Sequence, residues 1–481
     1  MRRFTSSVSR RYWELEERWR DGAIFCALGV CLAGYYFLPL VWLSALAALL
    51  FLVLAWLRLD LGLLYVVFAA PFYRFPKRFD LAGLGLGGLL QRTEPLAFSL
   101  AEFAVLACLV AWLARQVLPE PGQREETRAP SLKLFSRQWQ WTDLLNPPFI
   151  FLLISTLSLF ASEYLTFSIR EYRTVILEPL LFYFLLVHTV DDRRGIWRFL
   201  NAFVLLSAVV ALASLYHYFF IGVVEATGGV RRILAVYWSP NALALFLGRG
   251  LPMTVTLALF AREKRWLYAL ASLAIVVCLY FTYSRGAWVG VAFALLFVAA
   301  LRGSRRLLAL GGTVAVAVGS VLAFFLRERF ISSNTIQQRF HLWQAAVNMI
   351  RDHPILGVGL DNFLYQYPNY ILKEAWAEPN LSHPHNILLD FWTRLGILGV
   401  GAMLWLQVTF WRAGFRICKG WKGEEGQIWA LALMASMVDF LIHGLLDNSF
   451  FLIDLAFIFW LTYGLMRAMA RLHDAVSLME K

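Results

Sequence analysis

Ser382-His383-Pro384-His385-Asn386 is the stretch of this chain best equipped for chemistry near neutral pH. Imidazole titrates closest to neutrality of the ordinary side chains, so His385, or its near neighbour His383, can take a proton from a hydroxyl in a transition state. A His-x-His pair can also hold a metal, but few carboxylates and no further histidine stand close by in sequence, and the reading is no metal site. The plain alternative is a histidine at a helix start, satisfied by backbone. Asn386 can orient an imidazole or a sugar hydroxyl.

A second set is cationic. Arg231 and Arg232 precede Pro240-Asn241, Arg285 stands in Tyr283-Ser284-Arg285-Gly286, and Arg339 begins an amphipathic stretch. Arg170 and Arg173 precede another apolar run. Guanidinium groups offer planar, charge-assisted pairs of hydrogen bonds to phosphate oxygens, so a cluster of them suits an anionic ligand at headgroup level. The competing reading is snorkelling to lipid phosphates, or pairing with Glu163, Glu171 or Glu225.

These residues must be positioned by membrane-spanning helices. The chain is 60% hydrophobic and 16% charged, whereas soluble domains are nearer 45–50% apolar and about 25% charged. Apolar stretches of roughly 16–25 residues recur from Ala23 to Ala468, long enough to cross ~30 Å of hydrocarbon. The fold class expected is an all-α polytopic membrane protein of about 12–14 transmembrane helices. With the N-terminus inside, about two thirds of the 44 Lys and Arg fall in cytoplasmic segments. Both termini are then cytoplasmic, and the net charge of +12 reflects retention of basic loops, not nucleic-acid binding.

The chain divides into an interfacial basic helix over 1–22, a transmembrane bundle over 23–325, an extracytoplasmic cap over 326–385, and C-terminal transmembrane helices with a short cytoplasmic tail over 386–481. The cap lies between the spans ending near 325 and starting near 386, and loops of that length are generally functional or disordered. Gln337–Arg351 has helical periodicity, with Phe340, Trp343, Val347 and Ile350 on one face, so the cap is folded. The 119–146 stretch reads as a cytoplasmic linker, and Gly83–Gly88 reads as a flexible turn rather than a nucleotide loop. The five cysteines have neither metal nor disulfide spacing. Glu102, Arg249, Asp439, His443, Asp447 and Asp454 fall inside spans and must be paired or line a cavity. For Arg249 the candidate partners are Glu178, Asp439 and Asp447.

Three motifs resemble those of the O-antigen ligase and polymerase superfamily, which includes bacterial O-linked oligosaccharyltransferases. Phe281-Thr282-Tyr283-Ser284-Arg285-Gly286-Ala287 is similar to its T-x-S-R-G span. The run Arg339…Trp343…Met349…His353-Pro354-Ile355-Leu356-Gly357-Val358-Gly359…Asn362-Phe363 resembles its cap signature. His385-Asn386…Leu389…Gly396…Gly399 resembles its H-N-x-x-L…G-x-x-G segment, and Arg231/Arg232…Pro240-Asn241 its upstream loop. The family often carries an acidic residue just before the Gly of G-x-x-G, where this chain has Arg394.

The resemblance implies glycan transfer from undecaprenyl diphosphate to an acceptor hydroxyl, on lipid A core or another glycan, at the outer face of the bacterial inner membrane. It implies no metal, nucleotide or other cofactor. His385, with His383 as alternative, carries over as catalytic; Arg285 with Arg231 or Arg232 engages the diphosphate, with Arg339 added from the cap. Ser284, Asn241 and Asn386 support them. The expected partners are the lipid-linked donor, the acceptor and membrane lipids, with no nucleic acid. Polymerization within the same superfamily, a lipid-linked oligosaccharide transporter, and an assembly scaffold are the alternatives.

Overall fold

The computed structural model describes residues 2–79, 96–117, 146–222, 224–227, 230–303, 333–372 and 380–479. Among these residues seven helices are long and apolar enough to cross a membrane: Leu100–Val117, Arg193–Ile221, Pro240–Phe260, Arg265–Thr282, Ile387–Gly420, Glu425–Gly444 and Ile453–Leu478. Shorter apolar helices cover Val41–Leu57, Leu59–Phe72, Pro147–Ala161 and Arg285–Leu301. The protein is a mostly helical, polytopic membrane protein. The all-α expectation needs one amendment, because two short antiparallel ladders are present, Lys77–Phe79 with Leu96–Phe98 and Val224–Thr227 with Val230–Ile233.

The chain forms two compact units, residues 1–140 with 184–191, and 141–183 with 192–481. In the first, helix α1 (Arg2–Phe37) runs unbroken through the expected boundary near residue 22 into the first apolar stretch. It packs against α2 (Val41–Leu57). Lys77 donates to the carbonyl of Leu38 at 3.0 Å, placing a cation where the exposed carbonyls of a helix end attract one. Arg58 bridges Asp21 and Asp60, holding the start of α3 (Leu59–Ala69) to α1.

The second unit contains the motifs. Helix α4 (Pro240–Phe260) is buried over most of its length and packs on α5 (Arg265–Thr282), α6 (Arg285–Leu301) and α9 (Glu425–Gly444). Glycines permit this closeness: a Cβ on Gly248 would lie 2.8 Å from Asp439 Oδ2, and one on Gly286 2.8 Å from His443 Cδ2. Arg249 is fully buried at this contact. Of its three expected partners, Asp439 acts on its charge, Glu178 instead faces Arg173 at 3.9 Å, and Asp447 is committed elsewhere. Its guanidinium donates to the Ser449 carbonyl and lies 4.4 Å from the Phe440 ring centroid.

The cap helix α7 runs Ser333–Asp352 and is followed by a short helix over Phe363–Tyr370. Its buried side is Leu342, Ala345, Ala346 and Met349, joined by Val358, Phe363 and Tyr367. The expected face was displaced by one position: Phe340 is 60% exposed, whereas Ile350 is buried as expected. Alanines weigh little in a hydrophobic pattern but allow close approach, and here they set the packed side. The expected span 307–325, the linker 119–146 apart from Asn146, Gly83–Gly88 and the start of the cap at 326–332 lie outside the described residues.

Candidate active site

The 34-residue helix α8 (Ile387–Gly420) begins where the cap ends. Asn386 caps it: its Oδ1 accepts from the Leu388 and Leu389 amides at 3.0 and 3.2 Å, meeting two N–H groups that the helix leaves open. Asn386 Nδ2 donates to the Leu445 carbonyl at 3.1 Å, fastening the cap residue to the end of α9. His385, just before the cap, has φ 52°, a left-handed conformation that costs a non-glycine residue energy and is held by the contacts around it. Trp343 Nε1 of the cap helix donates to the Pro384 carbonyl at 3.0 Å, and the His385 amide donates to His383 Nδ1 at 3.3 Å.

This clamped turn aims His385 at Asp447, with 2.8 Å between Nδ1 and the carboxylate Oδ1. A carboxylate accepts, so Nδ1 carries the proton and Nε2 keeps its lone pair in the neutral ring. Asp447 Oδ1 also accepts from the Asn448 amide at 2.8 Å, which fixes the carboxylate. Burial pushes the Asp447 carboxyl upward, but the hydrogen bond from His385 and the surrounding imidazoles outweigh it and hold it well below the usual carboxylate range. His383 sits edge-on to His385, with ring centroids 4.1 Å apart. Burial, then the charge on His385, push its pKa down to about 3, with Arg394 and Arg339 adding to the effect. The action of the Arg339 charge on His383 brings this cap arginine into the histidine neighbourhood.

Arg232, Asn241 and the Thr282–Arg285 turn are brought together. Arg232 Nε donates to the Thr282 carbonyl at 2.9 Å and its NH2 to Asn241 Oδ1 at 2.7 Å, while Glu225 lies 3.5 Å from NH1. Strand alternation leaves the neighbouring Arg231 side chain exposed. Tyr283 adopts φ 51° and buried Ser284 donates its amide to Thr282 Oγ1 at 3.2 Å, so Arg285 opens α6 from a sharp turn. The position of a Cβ on Gly286 lies 3.5 Å from Leu446 Cβ, which puts the start of α6 beside the residue preceding Asp447. Arg170 and Arg173 are not gathered here; Arg170 pairs with Asp361 at 2.8 Å.

A buried ion network underlies the turn. Arg394 Nε donates to Asp390 Oδ1 at 2.7 Å, NH1 donates to both Glu171 oxygens at 2.6 and 2.5 Å, and NH2 reaches the Ser382 carbonyl at 3.3 Å. At Gly396 helix α8 breaks, with φ 66° and ψ −169°. The Pro354–Gly359 turn docks in that break: the Val358 amide donates to the Thr393 carbonyl at 2.8 Å and the Ile397 amide to the Pro354 carbonyl at 3.0 Å. Any side chain on Gly396 would run into the Ile355 carbonyl. Asn362 seals the other end of the turn, its Oδ1 accepting from the Tyr164 amide at 2.9 Å and its Nδ2 donating to Ser168 Oγ at 2.6 Å.

Asp447 is the site residue that sequence reasoning missed. It stood as an ionisable group inside a span and as a candidate partner of Arg249, and nothing local marks it as the partner of a histidine 62 positions away. Its presence adds a carboxylate from far along the chain to a pair of histidines that has few close by in sequence. Among the described residues, His383, His385 and Asp447 form a group whose ligand atoms all lie within 4.8 Å of one another.

Residues 270–404 match the family model described as O-Antigen ligase. That interval contains Ser284, Arg285, Arg339, His383, His385 and Asn386, while Arg231, Arg232, Asn241 and Asp447 lie outside it. The chain is also similar to an O-antigen ligase of Pseudomonas aeruginosa, 28% identical over 192 residues. That alignment covers 39% of this chain and 44% of the relative, so it spans less than half the relative's length. The resemblance of this chain to the O-antigen ligase family is thereby established over residues 270–404.

Proposed function

We propose that this protein is an O-antigen ligase-like glycosyltransferase that moves a glycan from undecaprenyl diphosphate to an acceptor hydroxyl at the outer face of the bacterial inner membrane. The observation that carries the reading is the His385–Asp447 pair at 2.8 Å, within reach of the Arg339 charge and beside the start of the Arg285 helix. His385 Nε2 takes the acceptor proton as the hydroxyl oxygen attacks the anomeric carbon. The bond from that carbon to the diphosphate oxygen breaks, and direct attack inverts the anomeric centre. Charge grows on the diphosphate as it leaves, and Arg285, Arg231 and Arg339 stabilise it. Arg232, Asn241 and Ser284 shape the turn that presents Arg285. Asp447 keeps the imidazole in the tautomer that can accept a proton.

The acceptor is lipid A core or another glycan, and the outcome is lipopolysaccharide or polysaccharide assembly. Purified protein given a polyprenyl-diphosphate-linked glycan and an acceptor tests this directly. Transfer should fall by about 10²–10⁴ in His385→Ala, the usual worth of a positioned base. It should fall by about 10²–10³ in Arg285→Ala, the usual worth of a charge-stabilising donor. Full activity in both variants refutes the roles. Mass spectrometry of the product separates a core-linked glycan from chain extension by a polymerase.

A further inference from the structure

We propose that Arg394 is a positioning residue that sets His385 against Asp447, so that it governs the rate of transfer without touching either substrate. The effect on rate rests on His385 acting as the base; the effect on the imidazole itself does not. Arg394 is only 2% exposed, which keeps it away from the reacting atoms. Its guanidinium instead meets the segments that come together around the dyad. NH2 donates to the Ser382 carbonyl at 3.3 Å, in the turn that leads into His385. Nε donates to Asp390 Oδ1 at 2.7 Å, on the first turn of α8 beyond the Asn386 cap. The guanidinium carbon lies 4.7 Å from the ring centroid of Phe451, in the segment that follows Asp447.

Short bonds carry each of these contacts on to the dyad. Asn448 ties Phe451 back to Asp447: its Oδ1 accepts from the Phe451 amide at 2.9 Å, and its own amide donates to Asp447 Oδ1 at 2.8 Å. The Phe391 ring of α8 packs 4.8 Å from that of Phe451, centroid to centroid. On the other side, Ser382 leads through His383 and Pro384 to His385. Both halves of the dyad therefore hang on one guanidinium. Glu171 fixes it from the helix Leu165–Glu171, both carboxylate oxygens accepting from NH1. A guanidinium suits this task because its N–H donors lie in one rigid plane whose face can rest on a ring, whereas an ammonium is a point charge on a flexible stem. The left-handed backbone at His385 is where its loss tells, because φ 52° persists only while the surrounding contacts hold it. Releasing Ser382 and Phe451 lets the turn relax, and a displacement of about 1 Å at a reacting group can cost about 100-fold in rate.

The test compares wild type with Arg394→Lys and with a neutral triple variant, Arg394→Met with Glu171→Gln and Asp390→Asn, which removes the guanidinium without stranding the two carboxylates. Full-length protein in nanodiscs carries ¹⁵N-labelled histidine, and His385→Gln assigns the His385 signals. Wild type should show the proton of the neutral His385 ring on Nδ1, and both Arg394 variants a mixture of tautomers. In the transfer assay, kcat per folded protein should fall about 100-fold in the triple variant and less steeply in Arg394→Lys. KM for the lipid-linked donor and for the acceptor should stay unchanged. A merely structural role would lower folded yield and melting temperature, and would leave the tautomer and kcat of the folded fraction as in wild type. That outcome overturns the proposal, whether it is read in the triple variant or, should that variant not fold, in Arg394→Lys. A tautomer shift in a protein whose wild type transfers no glycan would sink the transferase reading and leave the positioning role standing. Transfer that depends on His385 yet is indifferent to both Arg394 variants would do the reverse.

Discussion

Replacing Asp447 by Asn tests the geometry at a single atom. The carboxylate accepts from His385 Nδ1 at 2.8 Å and from the Asn448 amide at 2.8 Å. Asparagine preserves size and one carbonyl oxygen, so the turn that presents it should persist. The neutral amide cannot stabilise the imidazolium that forms when Nε2 takes the proton, as the carboxylate does; turned with its nitrogen to Nδ1, at the cost of the Asn448 bond, it also moves the ring proton to Nε2. The substitution can therefore forfeit most of what a base contributes, about 10²–10⁴ in rate. Because Asp447 acts through His385, the double variant should be no slower than His385→Ala alone, a non-additivity expected of residues working as a unit. Single-turnover transfer from a lipid-diphosphate-linked glycan at saturating donor is the assay, with thermal unfolding as the control for integrity. Activity of Asp447→Asn within about threefold of wild type, beside a His385→Ala variant impaired 100-fold or more, would refute the argument. Additive losses in the double variant would do the same.

Other expectations follow from neighbouring contacts. Arg394→Met should destabilise the protein by about 3–5 kcal/mol, because it strands Glu171 and Asp390 as buried charges; adding Glu171→Gln and Asp390→Asn should recover part of the loss in thermal unfolding. Gly396→Ala forces a side chain into the Ile355 carbonyl at a backbone conformation nearly exclusive to glycine, so folded yield and melting temperature should both drop. Stability should rise with pH between about 3 and 6.5: folded His383 resists protonation until about 3, whereas an unfolded histidine takes its proton near 6.5, so the unfolded chain binds more protons across that window. His383→Gln should flatten that rise, measured by unfolding over a pH series. Asp447 acts in the same direction at lower pH, its contribution complete above about pH 4, the unfolded carboxylate value, and lost as pH falls through its depressed folded value.

Much of the candidate site's local geometry is legible in the sequence because residue type and short spacing carry it. His385, Asn386 and Arg285 are recognisable from their own motifs, and the helix expected over Gln337–Arg351 is present as Ser333–Asp352. What escaped are pairings across long sequence separations. Arg394 looked like a departure from an acidic position, yet Asp390 sits one helical turn away and Glu171 reaches it from 223 residues upstream. Arg232 looked equivalent to Arg231 as a phosphate ligand, but strand alternation turns one outward and engages the other with Thr282 and Asn241. The hairpin of Val224–Thr227 with Val230–Ile233 carried a readable signal in the intervening Gly228-Gly229, masked by the expectation of helices alone.

The break at Gly396 has a bearing on how such proteins can be recombined. An unbroken helix of 34 residues would extend about 51 Å, far more than a bilayer's ~30 Å of hydrocarbon. The portion after the break, from Ile397 to Gly420, still reaches about 36 Å and suffices to cross by itself. The portion before it is bonded to the Pro354–Gly359 turn and, through Arg394, to Ser382. A chimera that exchanges the cap between relatives therefore has its natural seam just beyond Ile397, whose amide still bonds the Pro354 carbonyl, and a junction placed at 386 would cut through a single cooperative piece.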